Sequence, residues 1–325
     1  MSPLCRATLL LTAFVACATG DGCRRRSAAA SRVVIFAAAS LDQVLADLSE
    51  DLRRTKGLEA EVQISGSQEA ARKVSEYGLA ADVVIVADYR VIDWILKPSH
   101  ARWAVRFATN ELVIAYSERS KYASEISGEN WPDILLRPGV KVARADENLA
   151  PVGYQTLFCW QLAAIRYRAL LKGRDLSATL LARTSDDLVR PDVNSLVPLV
   201  GTRADYAFLF RSVAHGHNLP YVRLPAEVNL ADPAQAAFYS QAHVQLSEPQ
   251  RVMHGAPIVY GLTIPLEAPH PEAGVAFVAA LLGAEGRKAL ERNGFMLLPQ
   301  PVCSDPPGNL PGPLSNLVRA DKVLP

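Results

Sequence analysis

The chain has 325 residues, half of them hydrophobic, and its formal net charge at pH 7 is +1. This length and composition allow one large domain or two lobes with a sizeable core. The nearly neutral charge argues against a nucleic-acid-binding surface, which needs a basic stripe. After the N-terminus, no apolar run is long enough to span a membrane as a helix.

The N-terminus is typical of an exported protein. Residues 1–16 form a predicted signal peptide, with Arg6 near its start and a short apolar segment after it. The segment ends in Phe-Val-Ala-Cys, which resembles a bacterial lipobox with Cys17 as the lipidated residue. Two alternatives stay open because Phe14 stands where Leu is usual: lipidation at Cys17, or simple secretion after cleavage nearby. Residues 17–32, rich in Ala, Ser and Arg, predict a flexible tether.

The folded part is predicted to begin with a buried strand at residues 33–36, followed by small residues and a helix that starts near Ser40. Ser40 and Gln43 fit a capping box, which makes Ser40 the predicted N-cap. A helix N-terminus directly after a strand leaves N–H groups unpaired and favours anions. Taken alone, the arrangement is explained more simply by Ser40 capping its own helix.

Two further junctions have the same form. A predicted strand at residues 61–64 leads through a small polar turn at Ser67 into a helix. A predicted strand at residues 140–143 leads to Pro151, which suits the first turn of a helix. In α/β folds, ligands bind at the carboxyl ends of the strands, so these helix N-termini are expected to converge. Each would favour an anion by about 0.3–1 kcal/mol.

The remaining segments continue the alternation of strands and helices. The predicted strands are residues 82–87, 107–116, 205–210, 221–224 and 258–264, and two helices follow at residues 272–282 and 286–293. This alternation predicts an α/β fold with mostly parallel sheets. Residues 300–325, rich in Pro and Gly, predict a mobile tail.

No motif of a common enzyme class is present. The sequence has no G-x-G-x-x-G, no P-loop and no G-x-S-x-G motif. His215 and His217 are explained more simply as the solvated end of a helix than as metal ligands. Cys159 and Cys303 could form a disulfide in an oxidising compartment, but their spacing leaves this open. We therefore expect neither catalysis nor a cofactor.

Several motifs, in order, resemble the solute-binding proteins of molybdate and tungstate ABC transporters. The first, FAAASL at residues 36–41, is similar to the opening motif of the molybdate-binding branch. The others resemble the tungstate-binding branch: SGS at 65–67, ADV at 81–83, FATNE at 107–111, DYAF at 205–208 and PIVYGLTIP at 257–265. The resemblance extends from about residue 33 to residue 298, nearly the whole mature chain.

This resemblance implies a type II periplasmic-binding-protein fold, in which two crossover strands join two α/β lobes. The crossovers would lie near residues 107–116 and 258–264. We expect the first lobe to comprise residues 33–109 and 262–299, and the second lobe to comprise residues 110–261. The ligand would lie in the cleft between them.

The resemblance also implies which residues hold the ligand. The expected oxyanion-binding residues are Ala39, Ser40 and Ser67 from one lobe, the segment Ala150, Pro151 and Val152 from the other, and the hydroxyl of Tyr260. For Tyr260, a strand residue that faces the core is the alternative. The tungstate-binding branch usually has acidic residues, able to ligate the metal, at the positions of Ala150 and Leu209. Because neither residue here is a ligand, we expect a tetrahedral anion without a direct bond from the protein to the metal.

The leading hypothesis is an extracytoplasmic protein that captures molybdate or tungstate and delivers it to an ABC-transporter permease by closing its lobes. We expect a monomer that binds no nucleic acid and contacts the membrane only through a lipid anchor at Cys17. One alternative is a tethered, non-transport protein of the same fold that binds another anion, such as sulfate, or none. A second is the effector domain of a regulator, against which the signal peptide and the lack of N-terminal DNA-binding helices argue.

Overall fold

Strands and helices alternate along residues 31–247 and 250–321, which are the residues that the computed structural model describes. The strands are β1 (Ser31–Ala38), β2 (Leu58–Ser65), β3 (Val83–Val86), β4 (Val105–Thr109), β5 (Leu112–Tyr116), β6 (Val142–Ala145), β7 (Val189–Arg190), β8 (Tyr206–Phe210), β9 (Tyr221–Arg223), β10 (His243–Ser247), β11 (Gln250–His254), β12 (Val259–Thr263), β13 (Met296–Cys303) and β14 (Arg319–Ala320). The predicted signal peptide and Cys17 lie outside the described residues.

The α-helices are α1 (Asp42–Lys56), α2 (Ser67–Ser75), α3 (Trp131–Leu135), α4 (Pro151–Arg166), α5 (Arg168–Leu171), α6 (Leu176–Arg183), α7 (Arg211–Gly216), α8 (Ala226–Asn229), α9 (Ala236–Tyr239), α10 (Pro271–Leu282), α11 (Ala284–Arg292) and α12 (Gly312–Ser315). A π-helical segment spans Ile92–Leu96. Short 3-10 turns include Ala39–Leu41 before α1 and Asn194–Leu199 before β8. None of the helices in the described part of the chain is long and apolar enough to cross a membrane.

A seven-stranded sheet, in the order β14-β13-β4-β12-β3-β1-β2, forms the first lobe. Strand β1 pairs in parallel with β2 and β3, while β12 pairs antiparallel with β3 and β4. The sheet is therefore mixed, whereas the sequence predicted mostly parallel pairing. Helices α1 and α2 pack against β2, β3 and β1, and α1 buries an apolar face that comprises Val44, Leu45, Leu48 and Leu52.

A five-stranded sheet, in the order β7-β6-β8-β5-β9, forms the second lobe. Helix α4 packs against β5, β6 and β8. The hairpin of β10 and β11 attaches to α4, because the Gln161 side chain exchanges hydrogen bonds with the backbone of His243 at 2.8 and 3.0 Å.

The chain crosses between the sheets twice. A single strand was predicted over residues 107–116, but β4 ends at Thr109 in the first sheet and β5 begins at Leu112 in the second. Asn110 breaks the strand because its Oδ1 accepts the N–H of Glu111 at 3.0 Å. The chain returns between β11 and β12. Strand β12 pairs within the first sheet over Val259–Thr263, so the lobe boundary expected at residue 261 falls inside a strand.

The C-terminal segment belongs to the first lobe, which corrects the prediction of a mobile tail for residues 300–321. Strand β13 runs to Cys303 and pairs antiparallel with β4, and β14 pairs in parallel with β13. The prediction failed because apolar side chains among the prolines, such as Leu314 and Val318, are buried in the core. The carboxylate of Asp305 also binds Lys97 Nζ at 2.6 Å. At the other end, β1 already includes Ser31 and Arg32, which were expected in the tether.

Candidate functional site

The carboxyl ends of β1, β2 and β3 and the first turn of α4 surround a small cavity. It is lined by Ala38, Ala39, Ser40, Ser65, Gly66, Ser67, Ala87, Ala150, Pro151, Val152, Asp192, Val193 and Phe210. The space open to the centre of a water-sized sphere is about 10 Å³. This volume is at the lower end of the about 10–15 Å³ that one water molecule needs, so the lining residues lie close together. The cavity brings together six of the seven residues predicted to hold an anion, which leaves only Tyr260 outside its lining.

Ser40 lies in the 3-10 turn Ala39–Leu41, between β1 and α1. The prediction that Ser40 caps α1 is wrong, since Leu41 is the N-cap of that helix and no side chain accepts a hydrogen bond there. The turn moves the helix start past Ser40, whose hydroxyl instead lies 2.7 Å from that of Tyr260. The Ser40 side chain is therefore free of a capping role and is 9% exposed at the cavity.

Ser67 is the first residue of α2 and is almost completely buried. Its Oγ accepts the backbone N–H of Ala87 at 2.9 Å. Because a hydroxyl has one hydrogen and can accept through its lone pairs, the Ser67 hydrogen remains available to donate. The serine is thus oriented as a donor beside the cavity.

The second lobe contributes the N-terminus of α4. Ala150 is the N-cap in an extended conformation, Pro151 occupies the first turn, and no side chain caps the helix. The first N–H groups of a helix have no partner within it, and the aligned peptide dipoles make this end partly positive. Pro151 and Val152 are buried at the cavity, so the end of a 16-residue helix faces it.

Tyr260 lies on β12 next to the cavity lining, with its side chain completely buried. Its hydroxyl is 2.7 Å from Ser40 Oγ and accepts the Asn110 Nδ2–H at 3.3 Å. Burial raises the pKa of Tyr260 well above its ordinary value, although the bonds to Ser40 and Asn110 lower it. The phenol therefore stays protonated at neutral pH and can donate.

Seven residues of the lining had not been predicted, among them Asp192 and Phe210. On β8, Phe210 lines the cavity and Leu209 does not, because successive strand residues point to opposite faces. Leu209, the expected position of a family carboxylate, is therefore not part of the lining. The carboxylate of Asp192 accepts the N–H of Ser195 at 2.9 Å and its hydroxyl at 3.1 Å. An Asp that accepts the N–H three residues on is typical of the start of a helical turn, and this pattern at residues 192–195 was the signal that could have placed a polar group here.

The lining contains hydroxyl and backbone donors, one carboxylate, and no Lys, Arg or His side chain. Such a site can stabilise an anion only through hydrogen bonds and helix dipoles. Among the described residues, no cluster of three or more His, Cys, Asp or Glu side chains is arranged to hold a metal ion. Cys159 and Cys303, whose pairing the sequence left open, are both free and buried.

The two lobes contact each other directly beside the cavity. Gln68 Nε2 donates to the Glu147 carbonyl at 3.0 Å. The backbone at Gly66 approaches Leu149 so closely that a Cβ on residue 66 would lie 2.1 Å from the Leu149 carbonyl oxygen. Only glycine fits this contact, and the cleft is therefore closed over the cavity.

A buried ion pair of the first lobe accepts a hydrogen bond from the second lobe, which forms a second contact between the lobes. Arg90 and Asp88, in the first lobe, pair with an Nη2–Oδ2 distance of 2.6 Å. From α4, the Tyr154 hydroxyl donates to Asp88 Oδ2 at 2.8 Å. Burial, followed by the charge of Asp88, raises the pKa of Tyr154, which keeps this hydroxyl protonated as a donor.

Comparison with known protein sequences identifies close relatives. A family described as bacterial extracellular solute-binding protein matches residues 33–296. The chain is 32% identical to the molybdate/tungstate-binding protein WtpA of Pyrococcus abyssi, with 96% of this chain and 97% of that protein covered. It is 36% identical to an uncharacterized solute-binding protein of Petrotoga mobilis, with 85% of each chain covered. The first of these relatives is named for molybdate and tungstate binding and the second as a solute-binding protein.

Comparison with solved structures supports the same fold. The periplasmic molybdate-binding protein of Azotobacter vinelandii has a TM-score of 0.58 at 14% identity and covers 82% of this chain and 100% of its own. The sulfate-binding protein SubI of Mycobacterium tuberculosis has a TM-score of 0.57 at 14% identity, with 83% and 88% covered. The predicted two-lobed periplasmic-binding-protein fold is thus confirmed, as is the resemblance to molybdate- and tungstate-binding proteins. The chain belongs to the family of bacterial extracellular solute-binding proteins.

Proposed function

We propose that the protein captures a tetrahedral oxyanion, molybdate or tungstate, in the cavity between its lobes. The observation that carries this proposal is the convergence of two serine hydroxyls, those of Ser40 and Ser67, with the uncapped N-terminus of α4 around one small cavity. Donors from both lobes would bind a dianion at the same time, so binding would hold the lobes closed.

The chemistry of the lining fits a fully ionised anion. Hydrogen bonds to a charged acceptor are stronger than those between neutral groups, and a buried site strengthens them further. A cationic ligand would find only one carboxylate in the lining. The names of the sequence relatives favour molybdate and tungstate over other tetrahedral anions.

The geometry of the bound ion follows from the residues at two positions. The tungstate-binding branch is expected to supply carboxylates at the positions of Ala150, which lines the cavity, and Leu209, which does not, and neither side chain can ligate a metal. We expect the bound anion to remain tetrahedral. X-ray absorption spectroscopy of the tungstate complex would show this, and a six-coordinate metal would contradict it.

We also propose that the protein is exported and delivers the bound ion to a permease. The family match favours an extracytoplasmic protein, tethered through Cys17 if the lipobox is used. As a monomer, it would pass the ion to an ABC-transporter permease when the lobes open. Sedimentation and lipid analysis of the protein expressed with its own signal peptide would test the oligomeric state and the anchor.

Titration calorimetry with molybdate, tungstate and sulfate tests the binding step. We expect heat with molybdate and tungstate, and a loss of about 1–3 kcal/mol of binding free energy for Ser40→Ala or Ser67→Ala, because each removes a donor to a charged acceptor. Ser75→Ala is the control, since its hydroxyl bonds the Ala71 carbonyl at the far end of α2. No heat with any of the three anions would contradict the proposal and favour a tethered protein that has lost transport.

A further inference from the structure

Behind the cavity, a buried chain of hydrogen bonds connects the first crossover to Ser40. Asn110 Nδ2 donates to the Tyr260 hydroxyl at 3.3 Å, and this hydroxyl lies 2.7 Å from Ser40 Oγ. Asn110 and Tyr260 are completely buried. Asn110 lies between β4 and β5, so the chain runs from the point where the lobes join to the site that we propose for the anion.

The orientation of the Asn110 amide is determined by its neighbours. Its Oδ1 accepts the backbone N–H groups of Glu111 at 3.0 Å and Ser212 at 3.4 Å. Its Nδ2 faces the hydroxyls of Ser212, at 2.8 Å, and Tyr260. A flipped amide would point its NH₂ group at two N–H donors, so only the observed orientation satisfies every partner.

This orientation of the amide determines which group donates in the hydrogen bonds that run from Asn110 to Ser40. An amide NH₂ group can only donate, so the Tyr260 oxygen must accept from Asn110. The single hydrogen of Tyr260 is then directed away from Asn110, toward Ser40 and the cavity. If it is donated to Ser40 Oγ, the hydrogen of Ser40 is left for the ligand.

The Tyr260 ring is held so that its hydroxyl cannot move away from this chain. It makes edge-to-face contacts with Phe107, Phe210 and Phe295, at centroid distances of 6.3, 6.1 and 5.2 Å. Such contacts favour one ring position. Phe210 itself lines the cavity, which connects the ring packing to the site.

We propose that Asn110 is a positioning residue for anion binding, whose amide directs the hydrogen of Tyr260 toward Ser40 and thereby leaves the hydrogen of Ser40 for the ligand. This inference rests on the proposed function. Without the Asn110 donor, Tyr260 can donate in the opposite direction, or Ser40 can donate to Tyr260, and a lone pair then faces the anion. Removal of Asn110 should therefore weaken binding through Tyr260, without any contact between Asn110 and the ligand.

A double-mutant cycle measured by titration calorimetry with molybdate tests this inference. Asn110→Leu should raise the Kd at least tenfold in the wild-type background. In the Tyr260→Phe background it should raise the Kd less than twofold, because the hydrogen bonds from Asn110 to Ser40 are already interrupted by the loss of the Tyr260 hydroxyl. Thr109→Val is the matched control at the same crossover. It removes only the hydrogen bond to the Met296 carbonyl and should leave the Kd within twofold of wild type.

Equal losses in both backgrounds would overturn the inference, because Asn110 would then act by a route other than Tyr260. An unchanged Kd for Asn110→Leu would also overturn it. If thermal unfolding shows that Asn110→Leu does not fold, Asn110→Ala takes its place in the same cycle with the same expected results. Absence of heat with the wild-type protein would instead contradict the proposed function, and the inference with it.

Discussion

At the scale of single residues, the proposed site would bind an anion through the direction of its hydroxyl hydrogens. Ser67 accepts from the Ala87 N–H, and Ser40 lies beside a tyrosine whose own acceptor position is filled by Asn110. Each serine is left with a hydrogen to donate, which suits an anion and not a cation. No cationic side chain lines the cavity, so affinity would depend on these donors and on helix N-termini.

Asp192 is the one acidic residue of the lining, and its removal should strengthen binding. Asp192→Asn keeps the shape of the side chain but removes a negative charge near the dianion. We expect the binding free energy to improve by about 0.2–1 kcal/mol, as for other partly exposed charge pairs. The control is Asp186→Asn, which makes the same charge change at an exposed residue outside the cavity. Weaker binding of Asp192→Asn would mean that this carboxylate contacts the ligand favourably.

At the scale of elements, the sequence predicted where strands lead into helices better than it predicted at which residue each helix or strand begins or ends. The junctions at Ser40, Ser67 and Pro151 were visible as apolar runs followed by small or polar residues, which is a local pattern. The 3-10 turn that displaces the N-cap from Ser40 depends on tertiary contacts with Tyr260, and no local signal encodes them. The break between β4 and β5 was also missed, although it is local, because Asn110 Oδ1 accepts the N–H of the next residue, Glu111.

The loop before α2 offers a direct test of lobe closure. In Gly66→Ala, the new Cβ would lie 2.1 Å from the Leu149 carbonyl oxygen of the opposite lobe. Because real contacts are never this short, the lobes must move apart, and we expect at least a tenfold rise in the Kd for molybdate with little change in the melting temperature. Gly308→Ala is the control, since nothing lies within 4 Å of its added Cβ. Wild-type affinity in Gly66→Ala would show that closure at this contact is not needed.

The hydrogen bond between Tyr154 and Asp88 should stabilise the closed form. Tyr154→Phe removes a hydrogen bond to a charged group, which is worth about 1.5–3 kcal/mol. We expect weaker binding of the anion and, by small-angle scattering, a larger radius of gyration at subsaturating ligand. Tyr77→Phe serves as the control because Tyr77 is 63% exposed. If both variants bind like the wild type, the contact does not contribute to closure.

At the scale of the whole molecule, the two-lobed fold was predictable because an ordered set of motifs covers nearly the entire chain. The C-terminal segment was not, since composition rich in Pro and Gly obscured a few apolar residues that complete the core. Val302, Leu314 and Val318 are buried there, and β13 and β14 extend the first sheet. The expected lobe boundary at residue 261 differs by a few residues from the start of β12. The pairing of β12 within the first sheet defines this boundary, and the sequence pattern does not show that pairing.

A chain that ends at Leu298 should therefore be strongly destabilised. Each buried apolar side chain contributes about 1.5–3 kcal/mol, so the loss of several approaches the about 5–15 kcal/mol that stabilises a domain. We expect a large drop in the melting temperature by circular dichroism. A chain that ends at Asp321 retains the strands and buried side chains described above and should melt like the full chain. Equal melting temperatures for both truncations would show that the segment is dispensable.

The central claim is that an oxyanion binds in the cavity formed by the two serines and the start of α4. Crystals grown with tungstate and measured at the tungsten absorption edge test it most directly. We predict one anomalous peak in this cavity, with its oxygens in hydrogen-bond contact with Ser40, Ser67 and the backbone at Val152. No peak, or a peak elsewhere on the protein, would contradict the account.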